Sequence, residues 1–348
     1  TGDIQLSGGT AATLNNGGVL EFAGDASVTQ NGVHNFANSG TVTKTAGAAT
    51  SQIGVSNLTD ASGTYAVNSG TVRLASSSAT GTGTITASGA GTLAIANTGG
   101  SFAGLTAGAG TTLQFDGGTN SFAGAVVAPI LTVTNGVTSL NGPGTVGVLT
   151  VSGGSLGGSG AVTVNGASTW TGGAFGGGAG SLTVISGGVL DASGSSTHFV
   201  TNGYTLGTAG TGRLKLSGTG DLQLNGGAAA TLNNGGVLEF ANDASVTQSG
   251  AHNVVNSGTV TKTAGAAVSQ IGVSNLTDSG GAYVVNSGTV KLFSGNVTGT
   301  GTLTASGAGT LAMANSNGSL AGLTATAGTT LLFDGGTNSF SGAVVAPI

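Results

Sequence analysis

Gly70-Thr71-Val72-Arg73-Leu74 and Gly91-Thr92-Leu93-Ala94-Ile95 share one pattern. Each runs glycine, any residue, apolar, polar or small, apolar. The same five positions recur in Gly2-Asp3-Ile4-Gln5-Leu6, Gly18-Val19-Leu20-Glu21-Phe22, Gly160-Ala161-Val162-Thr163-Val164 and Gly212-Arg213-Leu214-Lys215-Leu216. Residues two apart share one face of a strand, so the apolar pair points inward. Glu21, Arg73 and Lys215 then point outward. The pattern predicts very short strands.

Asn15-Asn16-Gly17-Gly18, Asn38-Ser39-Gly40 and Asn68-Ser69-Gly70 bound these strands. Gly and Asn tolerate positive φ, so such clusters read as turns. The strand starts are unevenly spaced. That suits a coil whose rungs hold two or three strands with turns of varying length. A hairpin sandwich would show more two-residue turns and a richer aromatic core. The expectation is an all-β fold, a parallel β-helix or β-solenoid built as a tandem repeat array, with rungs of roughly 20 residues.

Composition agrees. Of 348 residues, 71 are Gly, and 5% are charged against roughly 25% in an ordinary domain. Hydrophobic residues make up 38%, too many for a disordered chain. Glycine has no three-residue period, which excludes collagen. Stacked rungs bring like positions about 4.8 Å apart, where like charges would repel and Thr, Asn, Val or Ala can stack. A net charge of −5 with scattered Lys and Arg argues against nucleic acid as a partner. The longest apolar run, near Ala123 to Val133, is broken by Gly124 and Pro129 and is too short for a membrane helix. The chain opens Thr1-Gly2-Asp3-Ile4, without a secretory signal.

A second, longer period overlies the first. Thr1-Gly2-Asp3 returns as Thr219-Gly220-Asp221, and Pro129-Ile130 as Pro347-Ile348. Residues 219–348 therefore align without gaps on 1–130, with 104 of 130 positions identical. Ser51 to Asp60, SQIGVSNLTD, recurs unchanged at Ser269 to Asp278. The expected organisation is a complete repeat unit, 1–218, followed by a partial second unit, 219–348. Continuation into further repeats, or self-association, is the expected partnership.

Gly144-Thr145-Val146 through Val151, Ser168-Thr169-Trp170-Thr171-Gly172-Gly173 and Gly83-Thr84-Ile85-Thr86-Ala87 resemble the strand repeats of giant bacterial surface proteins. These are the filamentous-haemagglutinin-like exoproteins and autotransporter passengers. The resemblance covers the whole chain and is one of style. It implies secretion to the bacterial cell surface, a right-handed parallel β-helix, and attachment or scaffold work.

The search for chemistry yields no catalytic, cofactor or metal residue. His34, His198 and His252 form no zinc-type pair and read as surface or turn residues. Glu21 and Asp25, repeated as Glu239 and Asp243, could meet across a turn, but read as solvated outer-face acids. Gly153-Gly154-Ser155-Leu156-Gly157 matches GxSxG, and Gly89-Ala90-Gly91-Thr92-Leu93-Ala94 matches GxGxxA. Both motifs need a strand followed by a helix, and no helical pattern follows either. Trp170 could stack on a sugar, but reads better as filling a wide rung. Phe115 and Phe333 read as core aromatics beside a glycine turn.

Three functional readings follow. The first is a non-enzymatic structural shaft or scaffold of an extracellular adhesin or filament, extending from the cell surface. The second is a carbohydrate-binding or carbohydrate-active β-helix, with a host or surface glycan as partner. The third is ice or surface binding through Thr rows, such as Thr41-Val42-Thr43 and Thr84-Ile85-Thr86 could form.

Overall fold

The computed structural model describes residues 2–346, and among them every regular element is a strand. The pairings are parallel, and the fold is the expected β-solenoid. Contacts divide the chain into two compact units, Thr1–Val162 and Thr163–Ile348. Residues 1–130 lie within the first and 219–348 within the second.

In the first unit three columns of strands form the wall. Thr13–Asn16 pairs with Asn35–Asn38, which pairs with residues 57–60 of Thr50–Asp60. Val19–Phe22 pairs with Thr41–Lys44, and that with Thr64–Val67. In the third column Thr50, Thr71, Thr92, Thr112, Ile130 and Val148 succeed one another in register. Rung length varies: Val28 pairs with Ile53, Thr71 with Thr92 and Thr112 with Ile130, which makes rungs of 25, 21 and 18 residues.

The second unit repeats the plan. One column runs Val268–Ile271, Thr289–Leu292, Thr310–Met313, Thr330–Phe333. The next runs Asn253–Asn256, Asn275–Asp278, Asn296–Gly299, Asn317–Leu320. The third runs Thr259–Lys262, Ala282–Val285, Thr302–Ser306, Gly322–Ala325.

Alternation inside each strand explains the wall. In Thr41–Lys44 the second and fourth residues are buried and the first and third are not. Inward residues stack from rung to rung: Val42 lies against Tyr65, Tyr65 against Ala87, Ala87 against Ala107. Farther along, Phe102 and Phe122 stack with ring centroids 5.2 Å apart. Each fully buried Val, Leu or Phe contributes about 1.5–3 kcal/mol. Glycine is demanded where corners of adjacent rungs touch. Gly70 has φ +59°, and a Cβ there would stand 2.6 Å from Ala49 O; Gly288 and Ala267 repeat this at φ +58° and 2.6 Å.

Phe115 is a core residue as expected, but Phe333 is half-exposed. Val133 lies in register over Phe115. The Phe333 ring meets Phe340 edge-on, with centroids 5.9 Å apart.

Candidate functional site

The polar residues with the most to offer chemically are turned inward. All three histidines are fully buried, which corrects the expectation of surface positions, while His34 and His252 do lie in turns between strands. His34 Nδ1 accepts the Ala12 N–H at 2.9 Å, and Nε2–H donates to Asn31 O at 2.9 Å. His252 makes the same pair of bonds with Ala230 N and Ser249 O, at 3.0 and 2.9 Å. The acceptor role of Nδ1 fixes the neutral Nε2–H tautomer. Each ring thus satisfies a backbone donor and a backbone acceptor where the strands break, as buried backbone groups require.

His198 differs. Its Nε2–H donates to Trp170 O at 2.8 Å, while Nδ1 meets no hydrogen-bond geometry with any described residue. Burial holds its pKa below the usual value of 6.5. Trp170 is buried against Phe175 and His198, with centroids 4.4 and 4.8 Å away. It fills the rung and offers no face to a sugar in solution.

Lys44 is also fully buried, at an inward position two residues after Val42. Its Nζ donates to Gly24 O at 2.7 Å, Asp25 Oδ1 at 2.9 Å and Ser51 Oγ at 2.9 Å. Lys262 does the same with Asn242 O, Asp243 Oδ1 and Ser269 Oγ, at 2.9 Å each. A Lys–Ser pair at this distance could suggest an activated nucleophile. Here the ammonium has three acceptors and neither side chain reaches solvent, so the cluster ties down a corner. The lysine also holds the Asp243 carboxyl below its ordinary pKa.

Glu21 and Asp25 have separate partners: Glu21 Oε1 accepts from Thr45 Oγ1 at 2.8 Å, and Asp25 serves Lys44. Asp60 and Asp278 are fully buried. Asn16 Nδ2 donates to Asn38 Oδ1 at 2.8 Å, and Asn38 Nδ2 to Asp60 Oδ2 at 3.1 Å. Tyr65 Oη and the Gly63 N–H close the ladder on Asp60, at 2.7 and 2.6 Å. The second copy reproduces it through Asn234, Asn256, Asp278, Tyr283 and Gly281. Burial and the adjacent carboxylate push both tyrosine hydroxyls well above the usual pKa.

The outer face carries paired charges. Arg213 Nη1 reaches Glu239 Oε2 at 2.5 Å, and Lys215 Nζ reaches Asp191 Oδ2 at 3.3 Å. Among the described residues no three of His, Asp and Glu gather as metal ligands would. Ser155 of the GxSxG match lies on Ser155–Gly157, and no helix follows it or the GxGxxA segment. Threonines stack in single rows, as in Thr41, Thr64, Thr86 and Thr106. Beside Thr50, Thr71, Thr92 and Thr112 the next outward row is Gln52, Arg73, Ala94 and Gln114.

Two open grooves occupy equivalent places in the copies. In the first unit Gln30, Gln52, Gly54, Val55, Ala75 and Ser76 help to line about 340 Å³. In the second, Gln248, Gln270, Gly272, Val273, Phe293 and Ser294 help to line about 370 Å³. The cause is the long rung, where Val28 meets Ile53 and Val246 meets Ile271 out of step with neighbouring strands. Gln248 is fixed: Oε1 accepts from Ser274 N and His252 N at 2.8 and 3.1 Å, and Nε2 donates to Ser274 Oγ at 2.9 Å. Sequence reading missed both grooves because their residues meet only across rungs.

These features define the class, a parallel β-solenoid whose polar side chains are largely engaged between rungs. No family model, curated protein or solved structure matches the chain. Among the described residues no helix is long and apolar enough to cross a membrane.

Proposed function

We propose that this chain is a stretch of structural shaft from a bacterial extracellular adhesin or filament, and that its work is to set distance, not to catalyse. The observation that carries this reading is the matched pair of inward networks. Lys44 and Lys262, His34 and His252, and the two Asn–Asp–Tyr ladders make equivalent bonds in the two copies. In a solenoid each rung meets mainly its neighbours, so a repeated sequence gives a repeated wall at any position in an array. Residues with catalytic potential serve that wall. Further repeats, or a second chain, are the partners this reading expects, at the cell surface.

The test is deletion of one 218-residue unit from the surface-displayed protein. Reach from the cell should shorten while binding by the terminal region persists. Loss of binding with unchanged reach would oppose the proposal.

A further inference from the structure

We propose that the groove at Phe293 is a binding subsite for a neutral oligosaccharide. This goes beyond the shaft reading, which stands whether or not a glycan binds.

What sets this groove apart from its equivalent in the first unit is an exposed aromatic ring in an uncharged lining. Gln270, Gly272, Phe293 and Ser316 are among its lining residues, and none of the lining is charged. At about 370 Å³ it is at the lower end of small-ligand sites and suits a sugar ring or two. Phe293 is 50% exposed, in a chain whose aromatics are few and mostly buried. The Lys291 ammonium stands 5.5 Å from the ring centroid and is paired with Asp334 at 2.8 Å, so the neighbouring charge is already neutralised.

A sugar has an apolar C–H face and a rim of hydroxyls. The ring of Phe293 offers the apolar surface. The Gln270 amide, lying across Gly272, has both donor and acceptor capacity and, among the described residues, no side-chain hydrogen bond. Ser316 adds an exposed hydroxyl. A nucleic acid or acidic polymer would need unpaired cations, which the lining lacks.

The first copy supplies an internal comparison. Its groove has Ala75 where the second has Phe293, and Gln52 Oε1 accepts from Arg73 Nη1 at 3.1 Å. Platform and free amide are both missing there. The inference therefore assigns binding to the second groove alone.

The test is calorimetric titration of the whole chain with short neutral oligosaccharides of glucose, galactose or N-acetylglucosamine. The expected result is saturable binding of one of these probes at one site. Phe293→Ala should weaken it about tenfold, the scale of a lost aromatic contact. That variant installs the residue the first copy already carries, so folding should persist, checked by circular dichroism. The pair Arg73→Lys with Ala75→Phe should create a second site. Absence of binding by every probe, or binding indifferent to Phe293→Ala, would overturn the inference, as would a grafted groove that adds no site. None of these results bears on reach.

Discussion

Arg73 Nε donates to Asp116 Oδ2 at 2.8 Å across two rungs, passing over Ala94. Ala94 belongs to the outward row, yet it is 1% exposed because the arginine stem covers it. Lys291 and Asp334 span Ala312 in the same way at 2.8 Å. A small residue between two charges lets a long side chain clamp three rungs.

Such a clamp is partly solvated, so its worth is small. A double-mutant cycle of Arg73→Ala and Asp116→Ala should give a coupling of about 0.2–1 kcal/mol. It should shrink in molar salt, where the screening length falls to about 3 Å. A coupling several times larger and insensitive to salt would contradict this account of the pair.

The buried lysine makes an asymmetric prediction. Asp25→Ala leaves Lys44 charged and unpaired inside and should cost about 3 kcal/mol. Lys44→Met removes the buried charge and leaves Asp25, which is 43% exposed, able to hydrate; it should cost less. Denaturant unfolding of both variants decides the order.

Tyr65→Phe deletes a hydrogen bond to a buried carboxylate and should cost about 1.5–3 kcal/mol. Tyr283→Phe should match it, since both hydroxyls stand 2.7 Å from their aspartate. Exchange rates of the Gly63 and Gly281 amides, which bond the same carboxylates, give the local readout. Unequal effects would point to the two further bonds of the second copy, Asn256 Nδ2–H to Tyr283 Oη and Gly280 N–H to Asp278 Oδ1.

Stability should fall as pH drops below about 6.5, with His198 contributing. Its folded pKa is depressed by burial, so the unfolded chain takes up the proton first. The loss begins near the unfolded pKa and levels off below the folded one. The His198→Gln variant should show a shallower slope between neutral and acidic pH in denaturant unfolding; an unchanged slope would remove His198 as a contributor.

The strand pattern was legible because Val72, Leu74, Leu93 and Ile95 sit two apart beside glycine. The polar interior was half legible. Lys44 follows Val42 by two, Asn38 follows Phe36 and Asp60 follows Leu58, so period two alone places them inward. Asn38 reads as part of a turn because it is polar and precedes Ser39-Gly40, and burial wins because each of the three finds a partner on an adjacent rung. Some partners are close in sequence, as Ser51 is to Lys44 and Tyr65 to Asp60, but Asp25 and Asn38 come from the preceding rung, which no local pattern records. The grooves escaped for the same reason: Gln248, Gln270 and Phe293 meet only once the rungs are stacked.

The central claim is that repeats set distance. Chains bearing increasing numbers of the 218-residue unit, anchored to a surface and labelled at the far end, test it by the height of the label. At about 4.8 Å per rung, each unit should add an equal increment of roughly 50 Å. Height that fails to grow with repeat number would contradict the shaft.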